Sequence, residues 1–341
     1  MKARYSIYFL ILLLVAACFD SDRPALQTSS SGAPGEVLLV MNEQLWNEEP
    51  GEAVRAILNV PYEGLPQDEP YYDILQINHR GFGKTFKTHR NIILTKIGPD
   101  QQEPKILINR DTWSKPQLLI TILAPDEDAF IELVSSNGNK ILTLLSGTEQ
   151  KRLMKLYKNT RNEKLRQELE DDYSISLNVP GGYTMDVKKK DFIWISQEYR
   201  DIIQGILIYF YDYTDDETFT RDYLVEKRNR FLKEYVSGEV EGSYMTTEAL
   251  YPPIFSEYKL NNDKYTAEIR GLWKMVNGIA MGGPFVSISQ LDEKNNRVVT
   301  IEGFVFAPAH KKRELLKQVE AIILSLKILD KDSTAGQKTN G

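Results

Sequence analysis

The sequence predicts an α+β protein of two domains, each an antiparallel or mixed sheet packed with helices, joined by a long charged helix. Three observations carry this. Short apolar runs alternate along the chain with amphipathic stretches of helical period, the mixed pattern of an α+β layer fold. The chain has 341 residues, more than the roughly 100–200 of one domain. Finally, Thr148 to Asp171 is densely charged around a thin stripe of Leu153, Leu156, Tyr157, Leu165 and Leu169, as in helices that bridge domains. With 42% hydrophobic and 26% charged residues, the composition is that of an ordinary globular protein.

In order along the chain, Lys2 and Arg4 precede an uncharged, mostly apolar run from Tyr5 to Ala17, which ends at Cys18, the only cysteine. This is the layout of a secretory signal with a small-residue cleavage site. The run is too short for the roughly 20 residues of a membrane-spanning helix. Val15-Ala16-Ala17-Cys18 resembles the lipobox of bacterial lipoproteins. That resemblance implies removal of residues 1–17, a diacylglycerol thioether on Cys18 and acylation (palmitate) of its new amino group. Two or more buried chains anchor a protein stably, and the lipoprotein resemblance implies that the anchor lies in the outer membrane, facing the periplasm or the cell surface. A lipidated Cys18 leaves no thiol for disulfides, thiolate metal sites or cysteine nucleophiles. Net charge is −6, and loss of Lys2 and Arg4 makes it more negative, which argues against nucleic-acid binding.

Residues 18–35 are polar, serine-rich and closed by Pro34-Gly35, a composition expected of a flexible tether. Asp20 and Asp22 resemble the early acidic residues of surface-exported Bacteroidetes lipoproteins. The first domain is expected over 36–146. It holds strands at Glu36–Met41, Asp73–Asn78, Asn91–Ile97, Lys105–Asn109 and Leu118–Leu123, and a helix over Glu48–Leu58. A second helix opens at Pro125, with Gly138 as a candidate break because glycine costs about 1 kcal/mol in a helix interior. The linking helix is placed at 147–172.

The second domain is expected over 173–330, with residues 331–341 a disordered tail. Its strands read at Ser174–Val179, Phe192–Ser196, Gly205–Asp212, Lys264–Asn277, Phe285–Leu291 and Val298–Ala307, the last two forming a hairpin across Glu293–Asn296. Thr214-Asp215-Asp216-Glu217 has the form of a capping box opening a helix to Val236. The closing helix sets Leu315, Leu316, Val319, Ile322, Ile323 and Leu326 on one face and leaves Lys311, Lys312 and Arg313 outside. Over 174–329 this layout resembles the Mog1/PsbP-like fold, with its early strand ending in Pro180-Gly181-Gly182 and its terminal Leu324-Ser325-Leu326-Lys327. Fold alone implies no activity.

Two stretches are candidate sites. The segment His79–Arg90 gathers His79, Arg80, Lys84, Lys87, His89 and Arg90 around Phe82 and Phe86, a basic patch in an acidic protein suited to an anion or an anionic glycan. Gly83-Lys84-Thr85 lacks the earlier glycine of a P-loop. Glu268 and Arg270 alternate onto one strand face before Trp273 and Asn277, and a ligand pocket is expected there. The acids of Tyr211–Glu217 lack calcium-loop spacing. No cofactor and no metal are expected, and no serine-elbow, zinc-helix or dinucleotide motif is present.

Val37-Leu38-Leu39-Val40, Thr88-His89-Arg90-Asn91-Ile92, Gly271-Leu272-Trp273 and Met281-Gly282-Gly283-Pro284-Phe285 together resemble an uncharacterised Bacteroidetes lipoprotein family defined as a domain of unknown function. The resemblance implies architecture and location, and assigns no catalytic residue. Two functional readings remain: an envelope lipoprotein that binds a protein or glycan or serves in assembly, and a periplasmic or surface hydrolase using carboxylates near Glu268 or Asp212.

Overall fold

The computed structural model describes residues 28–260 and 263–329. Cys18, the leader, the start of the expected tether and the 331–341 tail lie outside them. The chain forms two compact units, each discontinuous in sequence: Met1–Asn47 with Leu75–Phe130, and Glu48–Ile74 with Ile131–Gly341. The sequence places the division at 147–172, so the segment 48–74 is the main difference. It joins the second unit because Tyr62 enters that unit's core, with Leu65 and Tyr71 against it.

The first unit is built on a five-stranded mixed sheet, ordered β2-β1-β3-β5-β4. Its strands are β1 (Glu36–Val40), β2 (Asp73–Ile77), β3 (Asn91–Ile97), β4 (Lys105–Arg110) and β5 (Leu118–Ala124), and a short helix α1 spans Glu43–Asn47. β1, β3 and β5 are parallel, and β4 is antiparallel to β5. All seven residues of β5 are buried, which explains its unbroken apolar run. Phe82, Phe86 and Trp113 cover Leu38, Val40, Ile92 and Leu119.

Parallel direction brings the segments leading into β1, β3 and β5 to one end of the sheet. There the residues after Thr28 are strapped down. The Lys115 amide donates to Thr28 O at 2.9 Å, the Ser31 amide to Thr88 O at 2.8 Å and the Arg90 amide to Ser31 O at 2.8 Å. Gly32 has φ +88°, and a Cβ there would collide with the His89 ring. The close of the stretch expected as tether is therefore part of the fold, because its amides and carbonyls find partners on two neighbouring loops.

The second unit contains α2 (Glu49–Leu58), most of α3 (Glu127–Thr160), α4 (Glu163–Tyr173), α5 (Arg221–Tyr235) and α6 (Arg313–Ile323). Gly138 does not break α3; it makes room for Ile57, whose Cγ1 would lie 2.9 Å from an added Cβ. The expected linking helix is divided between α3 and α4, and Asn162 Oδ1 caps the latter through the Leu165 amide at 3.1 Å.

An eight-stranded antiparallel sheet forms the centre of this unit. Its strands are β7 (Thr184–Lys188), β8 (Phe192–Tyr199), β9 (Ile202–Asp212), β10 (Tyr244–Thr247), β11 (Ile254–Leu260), β12 (Lys264–Val276), β13 (Gly282–Asp292) and β14 (Arg297–Phe306). The order is β10-β12-β13-β14-β9-β8-β7, with β11 also paired to β12. Only Ile175–Ser176 (β6) of the expected strand at 174–179 is extended, paired with β15 (Lys327–Ile328).

Alternation sorts the sheet's residues onto two cores. Ile206, Ile208 and Phe210 meet α4 and α6 through Leu169, Leu316, Val319 and Ile323. Leu207 and Tyr209 meet α5 through Leu224, Phe231 and Leu232. Gly303 lets α6 approach closely, since a Cβ there would lie 2.7 Å from Val319 Cβ.

Two local expectations are corrected. The box expected at Thr214 and Glu217 is made one residue later by Asp215 and Thr218, capping a short 3-10 turn before α5 starts at Arg221. Only Lys311 of the three basic residues before α6 is outside; Lys312 and Arg313 are 4% and 3% exposed. Arg313 binds Asp73 at 2.8 Å, and the amides of Lys312 and Arg313 donate to Glu69 at 2.6 and 3.1 Å. A carboxylate from a distant loop thus satisfies the helix's first N–H groups.

Candidate functional site

Within the second unit, β12 and β11 on one side and α3 and α6 on another wall a cavity of about 310 Å³. Its polar centre is a chain of five side chains. Arg270 Nη1 donates to Glu320 Oε1 at 2.6 Å, and its Nη2 and Nε donate to Glu268 Oε1 at 3.1 and 3.3 Å. The Tyr62 hydroxyl donates to Glu320 Oε2 at 2.6 Å, and that of Tyr258 to Glu268 Oε2 at 2.8 Å. All four carboxylate oxygens thus accept a hydrogen bond. Sequence alternation correctly sets Glu268 and Arg270 on one face; the ion pair is not a surface one, with side-chain exposures of 13% and 14%, and 7% for Glu320.

The electrostatics follow from this burial. Burial alone would lower the Arg270 guanidinium, but Glu320, Tyr62 and Glu268 outweigh it and hold it well above its ordinary range. Burial first, and then Glu320, push the Tyr62 hydroxyl well up. Burial and Glu268 do the same to Tyr258. Lys317 stands beside the cluster, 5.3 Å from the Tyr62 ring centroid and 3.1 Å from Glu314. Burial lowers its ammonium, with Glu314 opposing. Glu149, Glu268, Glu314 and Glu320 line the cavity against two cations, Arg270 and Lys317. That balance disfavours an anionic ligand.

The other predicted residues fall elsewhere. Trp273 belongs to the opposite sheet face, in the α5 core, and its Nε1 donates to Val305 O at 3.2 Å. Asn277 is exposed, with φ 56° after β12. Asp212 lines a separate cleft of about 640 Å³ with Tyr211, Tyr223, Lys227 and Arg230.

In the first unit, His79 Nε2 donates to Thr95 O at 2.5 Å. His89 is buried, bridging Asn91 O at 2.9 Å and Glu36 Oε1 at 2.6 Å. Arg80 and Lys84 are exposed and Arg90 is half-buried. Lys87 lies 5.8 and 5.6 Å from the ring centroids of Phe82 and Trp113. The six groups therefore do not converge as a set. Among the described residues no cluster of three metal-ligating side chains occurs, and no helix is long and apolar enough to cross a membrane.

Sequence reasoning missed Tyr62, Tyr258, Lys317 and Glu320. Glu320 had a signal, since it follows Leu316 by one helical turn and so falls beside the apolar face of α6. It also missed a second pair, Arg228 with Glu302, both 0% exposed and joined by bonds of 2.7 Å. Its signal was a glutamate inside the apolar run of β14.

No curated protein matches this chain significantly. The Saccharomyces cerevisiae Ran-binding protein Mog1p is 10% identical over 47% of this chain and 92% of its own, at TM-score 0.32. A Mog1 mutant protein is 12% identical over 47% and 93%, at TM-score 0.31. Residues 30–158 match a domain of unknown function (DUF8532) and residues 162–325 match another (DUF4837).

Proposed function

We propose that this chain is a membrane-anchored cell-envelope lipoprotein, held at the outer membrane through Cys18, whose second unit binds a small neutral glycan. The observation that carries the reading is the Tyr62–Glu320–Arg270–Glu268–Tyr258 chain lining a cavity. The chain fixes donors and acceptors rigidly at a concave surface, as recognition of hydroxyl-rich ligands requires. The excess of carboxylates favours a neutral ligand, and the cavity, at the small end of the usual range, suits a single sugar residue. Tyr62 and Tyr71, with ring centroids 4.8 Å apart, add aromatic surface.

The pair Glu268 and Glu320, held in one cavity, also supports the hydrolase reading. Recognition is favoured because a general acid must carry and deliver a proton, whereas both oxygens of Glu268 and of Glu320 accept hydrogen bonds from Arg270 and a tyrosine. Calorimetric titration with neutral monosaccharides of envelope glycans tests this. Binding is expected, and Leu153→Trp, which fills the cavity from α3, should abolish it without changing the circular dichroism. Sugar binding indifferent to Leu153→Trp would refute the cavity assignment, and release of reducing ends that stops in Glu268→Gln would favour the hydrolase. Separately, Cys18→Ala should release the protein from the membrane fraction or block its processing. Normal cleavage with full retention would sink the anchor.

A further inference from the structure

The first unit is polarised in charge along its strands, and its polarity coincides with the point where the chain toward Cys18 leaves the fold. The end of the sheet at which β1, β3 and β5 begin carries Arg90, Arg110 and Lys115, with Lys84 and Lys87 on the loop whose Lys87 O accepts from Gln117 Nε2 and whose Gly83 O accepts from the Lys87 amide, against Glu36 and Asp111. Of these acids, Glu36 binds His89 and Asp111 lies 3.8 Å from Lys115. At the opposite end, where the parallel strands finish, stand Glu43, Asp100, Glu103, Asp126, Glu127 and Asp128 against Arg80, Lys96 and Lys105. Strands of five to seven residues hold the two ends about 20 Å apart at roughly 3.3 Å per residue. That exceeds twice the Debye length of about 8 Å at physiological salt, so the acidic end does not cancel the field at the basic one.

The strap fixes the geometry. Thr28 is hydrogen-bonded to Lys115 and Ser31 to Thr88, so the chain preceding Thr28 departs from the basic end. Nine residues lie between Cys18 and Thr28, and the ten steps between the two, however arranged, reach no further than about 35 Å. Lys84 and Lys115 are exposed at this end. Lys87, half-buried, covers Phe82 and Trp113, whose rings meet edge-on at 5.6 Å. Basic side chains interleaved with aromatic rings suit the headgroup layer of a bilayer.

We propose that the basic end of the first unit, centred on Lys84, Lys87 and Lys115, is a docking surface for anionic phospholipid headgroups, with the acidic end directed away. This rests on the lipid-anchor reading for its context, and its test does not need the anchor. The mature polypeptide from residue 18 carrying Cys18→Ser is sedimented with vesicles of phosphatidylglycerol in phosphatidylcholine, and with phosphatidylcholine alone.

Binding to the anionic vesicles only is expected, falling as salt rises from about 0.1 M to 1 M, where the Debye length shrinks to about 3 Å. The triple variant Lys84→Gln/Lys87→Gln/Lys115→Gln should lower partitioning by roughly tenfold or more, in keeping with the known electrostatic weight of single lysines near such surfaces. The triple Lys155→Gln/Lys158→Gln/Lys164→Gln in the second unit, of equal charge change, should lower it less than about threefold. Lys84→Gln/Lys115→Gln, which leaves Lys87 on its rings, gives an intermediate loss if the triple is unstable. Equal losses in both triples, or equal binding to neutral vesicles, would overturn the proposal, as would no binding. Membrane release by Cys18→Ala alongside such a failure leaves the anchor intact and removes only the docking surface.

Discussion

Replacing Arg270 by leucine isolates the energetic role of the cavity's central cation. The change keeps most of the aliphatic bulk and removes every donor to Glu268 Oε1 and Glu320 Oε1. Two carboxylates, 13% and 7% exposed, then face each other with one tyrosine each. Removing one partner of a buried pair costs about 3–5 kcal/mol, and water entering the cavity reduces this to about 2–4 kcal/mol here. For a unit of this size each kcal/mol shifts the midpoint by roughly 2–4 °C, so a fall of about 5–15 °C is expected. Differential scanning calorimetry reads it directly. Adding Glu268→Gln and Glu320→Gln to Arg270→Leu should recover at least half of the loss, because neutral amides remove the repulsion yet still accept from Tyr62 and Tyr258. A shift under about 2 °C for Arg270→Leu, or no recovery in the triple variant, would refute the reasoning.

Two further outcomes are expected. Glu69→Ala removes the acceptor of two amide groups opening α6 and should cost about 1–2 kcal/mol; hydrogen exchange of the Arg313–Leu316 amides should quicken, and unchanged exchange would show that solvent caps this helix equally well. Burial pushes the hydroxyls of Tyr157 and Tyr211 up to about 12, against about 10 in an unfolded chain. Above about pH 10 the unfolded state therefore loses phenolic protons that the folded state keeps, so the second unit loses stability between about pH 10 and pH 12. Phenolate absorbance from these groups should rise together with unfolding, and a full rise while the circular dichroism is still native would contradict their burial.

Most of the architecture was legible from periodicity. The β5 run, the β9 alternation and the apolar face of α6 each state their burial in the residues themselves. What was not legible depended on partners remote in sequence. The whole segment 48–74 reads as belonging with β1, and only the entry of Tyr62 and Tyr71 beside α6 assigns it to the second unit. Edge strands β10 and β11 have one partner, β12, and weak alternation, so a turn-rich stretch concealed them. Lys312 and Arg313 read as solvated because the sequence cannot show Glu69 and Asp73 waiting opposite. At the cavity, the same limit applied to every residue outside β12.

β12 itself shows why site and fold cannot be separated in this protein. Its even positions 268 and 270 supply the cavity, while its odd positions Ala267, Ile269 and Trp273 fill the α5 core. The strand is held in register by β11 on one edge, with Ser256 opposite Glu268, and by β13 on the other, with Ile288 opposite the same residue. A shift of one residue would exchange the two faces. It would drive Glu268 and Arg270 toward Phe285 and Phe304 and move Trp273 away from Val305 O. The packing of Trp273 therefore fixes where Arg270 points. The aromatic core on one face of the sheet positions the polar cluster on the other, so substitutions around Trp273 should alter cavity binding without touching the cavity.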